Sequence, residues 1–140
     1  CSLKKSMQPE AKFYKEIKKN IPSILWNRVE NLSLLGMPDL LGYNKKQCFF
    51  TVELKVVKGN KIKFSPHQIA WHKTHPQNTF IMAKTLDPCT LKTSSISLFH
   101  GSSIMALARY GMKVDACACG FPACASMFDE VGLTLENFGA

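Results

Sequence analysis

The sequence predicts an α/β fold with a mixed central β-sheet flanked by helices, and three observations carry that prediction. Segments with apolar residues at helical spacing alternate along the chain with short runs rich in β-branched and aromatic residues. Two of those runs, residues 39–43 and 48–57, are separated only by polar residues around NKKQ and read as a hairpin. The chain has 140 residues, one domain's worth. That length can bury roughly two-thirds of the unfolded surface in a true core.

The elements follow in order. PEAKFYKEIKK (9–19) opens with Pro at a first helical position and sets Ala11, Phe13, Tyr14 and Ile17 on one face, predicting a helix that ends near Asn20 and Pro22. ILWNRVE (24–30) alternates side to side and suits a short extended segment. The hairpin comes next, then a turn at KGNK. Ser65, Pro66 and Gln68 spell a helix start, with Ser as cap and Gln at the third position able to reach back to the cap amide. That helix stops before Pro76. TFIMAK (79–84) and SISLFH (95–100) read as two strands around a loop holding Pro88, and SIMALARY as a helix ending at Gly111. The predicted core spans residues 1–111; residues 112–140 form a tail expected to pack on that core or on a dimer partner.

Charge is distributed unevenly. Residues 1–75 hold 14 Lys and Arg against 5 Asp and Glu, and residues 76–140 hold 4 against 5, so the net +8 lies in the first half. Such a patch is the footprint of a polyanion site, nucleic acid above all, with a solvated lysine face as the bland alternative. No apolar run approaches a membrane span, and CSLKKSMQPEAK lacks the apolar stretch of a secretory signal. The cysteines show no framework spacing, so a reduced, cytoplasmic protein is expected.

The hairpin holds an anomaly. In a strand, residues two apart share a face, so Glu53 and Lys55 point one way and Val52, Leu54 and Val56 the other. The surrounding FFTV and VV resemble a strand covered on both sides, where Glu and Lys are rare unless partnered. With the turn centred on Lys46, Asp39 falls opposite Glu53, their β-carbons about 5 Å apart. Two facing carboxylates in a dry sheet repel unless a proton or a cation intervenes. Mg²⁺ resolves that conflict, since it takes one or two carboxylates and leaves positions open for water and phosphate oxygens. Lys55, one pleat further, can neutralise charge building on a phosphate. The bland reading is a surface Glu/Lys pair.

Pro38-Asp39, a gap of 13 residues, then Glu53-Leu54-Lys55 resembles the PD-(D/E)XK nuclease superfamily. The longer string GMPDLLGY…FFTVELKVVKGNKIKFSPHQIAWH is similar to its VRR-NUC, phage-resolvase-like and homing-endonuclease branches, where G-x-PDL, E-x-K and S-x-x-Q-x-x-W follow in this order. The resemblance covers residues 10–85. It implies a restriction-endonuclease-like core and a phage or mobile-element type of source, with a host-cell cytoplasmic location. It also implies Asp39, Glu53 and the Leu54 carbonyl as ligands of Mg²⁺ (or Mn²⁺), and Lys55 as catalytic lysine. A helix acid assists in that family, here Glu10 ahead of Glu16, and Gln68 would lie beside the site or serve as a capping residue alone. Glu30 would stand behind the ligands, or simply pair with Arg28.

Lys45 and Lys46 at the hairpin tip, with Lys58, Lys61 and Lys63 in the next turn, are expected to crowd around the site as phosphate contacts; a solvated loop is the alternative. Cys117, Cys119 and Cys124 lack zinc-ribbon spacing and read as small buried thiols. His67, His72 and His75 share one helix and are read as facing phosphate or solvent. Trp71, Ile69, Phe49 and Phe50 are read as core. The function expected is an Mg²⁺-dependent DNA endonuclease selective for branched or junction DNA, working as a homodimer. A site-specific homing or restriction-like enzyme ranks second, and a non-catalytic DNA-binding protein on the same fold is the reading from another class.

Overall fold

The structure is a computed structural model that describes residues 9–29, 36–86 and 93–132, without the side chains of residues 9, 10, 93 and 94. The elements are α1 (Pro9–Asn20), β1 (Leu25–Arg28), β2 (Leu40–Tyr43), β3 (Phe49–Lys58), α2 (Pro66–Thr74), β4 (Thr79–Leu86), β5 (Thr93–His100), α3 (Ile104–Tyr110), β6 (Ala118–Cys119) and α4 (Phe121–Asp129). The strands form one sheet in sequential order β1 to β6. Only β3 and β4 are parallel, joined across a face by α2; the other neighbours are antiparallel. This is the mixed, helix-flanked sheet that the sequence predicts.

The alternation along β3 divides the core. Phe50, Val52 and Leu54 face a cluster with Phe13, Ile17 and Ile21 at α1 and Cys124, Phe128 and Val131 at and after α4. Val57 faces a second cluster with Ile62, Ile81, Phe99, Ile104 and Leu107, beneath α2 and α3. In the first cluster Phe50 and Phe128 stack at 4.8 Å, and Trp26 meets both edge-on. Lys84 reaches into this layer and pairs with Glu16 of α1 at 2.6 Å.

The hairpin register depends on Asn44. The turn closes through Asn44 and Cys48 backbones, with Gln47 at φ 64°, and the Asn44 side-chain oxygen accepts from the Lys46 and Cys48 amides, each at 3.0 Å. Its amide nitrogen donates to the carbonyls of Phe128 (2.9 Å) and Val131 (3.0 Å), so one buried side chain fixes the turn and ties it to the end of α4. The result is the register Leu40↔Val52 through Tyr43↔Phe49.

Several expectations need correction. Phe49 is 57% exposed, not core, because no helix covers that end of the Glu53 face; it leans on Tyr43 at 4.5 Å instead. Of the clustered thiols, Cys119 is exposed, whereas Cys124 is buried and burial pushes its pKa up to about 12. The tail contributes β6 and α4, which the sequence reading leaves without structure. The loop holding Pro88 lies outside the described residues.

Replacing Asn44 by Ala should lower unfolding free energy by roughly 3 kcal/mol, because it orphans buried amides and carbonyls together. Urea denaturation of the two proteins measures the difference.

Candidate active site

Continued by one residue, the β2–β3 register sets Asp39 opposite Glu53. The contact that forms is more specific than that: an Asp39 carboxylate oxygen accepts from the Leu54 backbone N–H at 2.9 Å. Its origin lies in the ladder. Thr51 N–H donates towards β4, to Asn78 O at 3.0 Å, so the alternate residues Val52 and Leu54 turn their backbone groups towards β2. The residue due opposite Leu54 is Pro38, which has no N–H to offer its carbonyl. The ladder therefore stops there. Asp39 takes the Leu54 amide, and the Leu54 carbonyl is left on the same edge without a ladder donor.

Glu53, 2% exposed, is held from α2. The Gln68 side-chain N–H donates to its carboxylate at 2.9 Å. The oxygen of the same amide accepts from Lys55 Nζ at 3.2 Å and from the Ser65 amide at 2.9 Å, while Ser65 Oγ accepts from the Gln68 amide at 3.1 Å. One Gln68 amide thus closes the helix cap and also contacts both Glu53 and Lys55. Lys55 Nζ lies 4.8 Å from the Phe64 ring centre, a cation–π contact that steadies the ammonium. Gly36 allows α2 this close: at φ 82°, a Cβ there would collide with the His67 carbonyl.

The structure brings Asp39, Glu53, Leu54, Lys55 and Gln68 together and separates other candidates from them. Glu16 is engaged by Lys84 on the α1 face, opposite the side that Glu53 presents to α2. The Glu10 side chain and Glu30 lie outside the described residues. Lys45 and Lys46 sit at the hairpin tip, with about 17 Å of strand between Cys48 and Glu53. Lys58, Lys61 and Lys63 follow Lys55 at the other end of β3, all exposed.

His72 reverses its expected placement. It is fully buried, its Nδ1 2.9 Å from Gln68 O, and its Nε2 has no partner among the described groups. Burial chiefly, with the charges of His75 and Lys55, holds its pKa below 6.5 against the opposing pull of the Gln68 carbonyl. Its Trp71 neighbour stacks on His75 at 4.0 Å. The Gln68-x-x-x-His72 spacing, one helical turn, was the available signal for this packing.

Among the described residues no group of three or more His, Cys, Asp or Glu is placed to hold a metal. Asp39, Glu53 and the Leu54 carbonyl offer only hard oxygens, a chemistry that would suit Mg²⁺ completed by water.

Two outcomes follow. Ser65→Ala should cost about 1 kcal/mol, the value of a helix cap. Gln68→Ala should cost more, since it also strips Glu53 of a buried donor; thermal unfolding compares them. The unfolded chain protonates His72 near pH 6.5 while the folded chain resists, so this contribution is complete above pH 6.5 and fades as pH falls below it. Denaturation across pH 5 to 7.5 should show that slope, and His72→Gln should flatten it.

No protein-family model and no curated protein matches the sequence. Among solved structures the fold is similar to Hjc of Archaeoglobus fulgidus, a Holliday junction resolvase from an archaeal hyperthermophile. The identity is 15%, with 64% of this chain and 74% of that chain covered, at a TM-score of 0.43.

Proposed function

We propose that the chain is a divalent-metal-dependent endodeoxyribonuclease of the PD-(D/E)XK type that hydrolyses phosphodiester bonds in branched DNA. One observation carries this reading. Two sequence motifs 13 residues apart close on each other, with the Asp39 carboxylate seated on the amide between Glu53 and Lys55.

Asp39, Glu53 and the Leu54 carbonyl would hold Mg²⁺, or Mn²⁺ in its place. The ion would lower the pKa of a bound water and offset charge on the phosphate. The chain's own groups do the rest. Lys55 offers an ammonium to the phosphate as negative charge grows in the transition state. Gln68 keeps Glu53 and Lys55 in fixed relation through one planar amide, so neither side chain must be ordered when substrate arrives. Pro38 withholds the N–H that would otherwise occupy the Leu54 carbonyl. Lys58, Lys61 and Lys63 supply phosphate contacts beside the site, without sequence information; Lys45 and Lys46, at the far hairpin tip, would touch a more distant stretch of backbone.

Selectivity for branch shape over base sequence is supported by the use of the C-terminal segment. Residues 118–131 complete the sheet and the core, so among the described residues no separate element is left to enter a groove and read bases. Cutting two strands needs two sites, and the proposed working form is a symmetric dimer.

The test is cleavage of supercoiled plasmid, linear duplex and a four-way junction, with Mg²⁺ and with EDTA. The expected result is Mg²⁺-dependent cutting favouring the junction. Lys55→Ala should slow it about 100- to 1000-fold, and Asp39→Asn or Glu53→Gln should abolish it. Equal rates with Lys55→Ala would sink the catalytic assignment. Pro38→Ala should weaken Mn²⁺ binding by about 10-fold, read by titration calorimetry, with the fold intact by circular dichroism.

A further inference from the structure

A second feature stands next to the site and includes two of the lysines, Lys61 and Lys63, assigned above to phosphate contacts. Residues 60–64, the turn leading from β3 to α2, and residues 108–113 at the end of α3 face each other across a cleft of about 700 Å³. Lys61, Lys63, Arg109 and Lys113 line it, all exposed, and no carboxylate is among the lining residues.

The cleft is a built shape. The Asn60 side chain donates to Tyr110 O at 3.1 Å, and the Asn60 backbone carbonyl accepts from the Met112 amide at 2.8 Å, so the turn is tied to the end of α3. Gly111, at φ 65°, permits the approach, because a Cβ there would collide with the Asn60 carbonyl. Ile62 fills the floor as part of the core. These ties keep four cations around one opening, against their mutual repulsion.

An aromatic ring stands among the cations. Tyr110 is 55% exposed, with the Arg109 guanidinium 5.8 Å from its ring centre. Phe64 forms part of the cleft wall and is the same ring over which Lys55 Nζ lies, so cleft and candidate active site share a side chain. Cations alone suit any nucleic-acid backbone. An open aromatic face beside them suits a base that is not stacked in a duplex, since stacking on protein requires an exposed base face.

We propose that this cleft binds an unpaired DNA strand, with a base stacked on Tyr110 and its phosphates held by Lys61, Lys63, Arg109 and Lys113. The inference rests on the nuclease reading for its placement and extends it. The strand entering through the cleft would be the single-stranded part of the substrate, continuous with the phosphate presented to Lys55. Branched DNA with an unpaired arm, rather than a fully paired junction, is then the preferred substrate class.

Binding in EDTA, where no cutting occurs, separates the two readings. A short fluorescein-labelled oligothymidylate and a hairpin duplex of equal length are titrated by anisotropy. Tyr110→Ala should weaken oligothymidylate binding about 5- to 150-fold, leave the duplex unaffected, and be rescued by Tyr110→Phe. The Arg109→Ala/Lys113→Ala protein should show a salt dependence for the single strand shallower by about 1.4 in log–log slope. If Tyr110→Ala binds the single strand as the unmodified protein does, or loses both ligands equally, the cleft assignment is overturned. A protein that passes these binding tests yet cuts nothing in Mg²⁺ keeps the cleft and loses the nuclease.

Discussion

A carboxylate buried in a sheet covered on both faces is the constraint around which this domain is arranged. Glu53 cannot be solvated where it stands, and the fold answers with a partner delivered from the adjoining helix. That partner, Gln68, is fixed by the turn that starts α2, since its amide oxygen closes the capping box while its nitrogen meets the carboxylate. The start of α2, the close approach of Gly36 to its first turn and the orientation of Lys55 are therefore consequences of one requirement. A helix displaced by an ångström would leave an acid in the core with less to hold it.

The sheet separates two kinds of work. The α1 and α4 side is apolar and aromatic, with the Phe50–Phe128 stack at its centre and its one deep cation, Lys84, neutralised by Glu16. The opposite side carries the acids, Lys55 and the basic turn after β3. Stability is concentrated where no polar group need be exposed, which lets the other side keep charged groups in defined positions. The uncovered part of that side, where Phe49 and Leu25 lie exposed, marks where the helices end.

Much of this was legible in the sequence, and the reasons are specific. The hairpin register followed from counting outward from the turn, because a period of two leaves little choice once one face must be apolar. Ser65-Pro66-x-Gln68 announced the start of α2, but sequence alone left capping and a site role as rival readings; in the structure the amide that closes the cap also meets Glu53 and Lys55 of β3. His72 was misjudged because a polar residue on a lysine-containing helix looks exposed, and its ring packs against Gly101, distant in the chain. Strand β6 has two residues and exists only through its pairing with β5, so no local pattern encodes it. The α4 stretch, FPACASMFD, is dominated by small residues whose periodicity is weak. Its place in the core becomes evident from Cys124 and Phe128.

The Asn44 clasp has a consequence for how the chain is made. The turn it organises is synthesised before α4, yet two of its four side-chain bonds go to carbonyls 84 and 87 residues downstream. On a ribosome the hairpin can form, but its Asn44 amide has no protein carbonyl to meet and Phe50 lacks its stacking partner until α4 is released. Half of the clasp therefore forms only once residues 128 and 131 have been made, and until then Phe50 is apolar surface that a chaperone could hold.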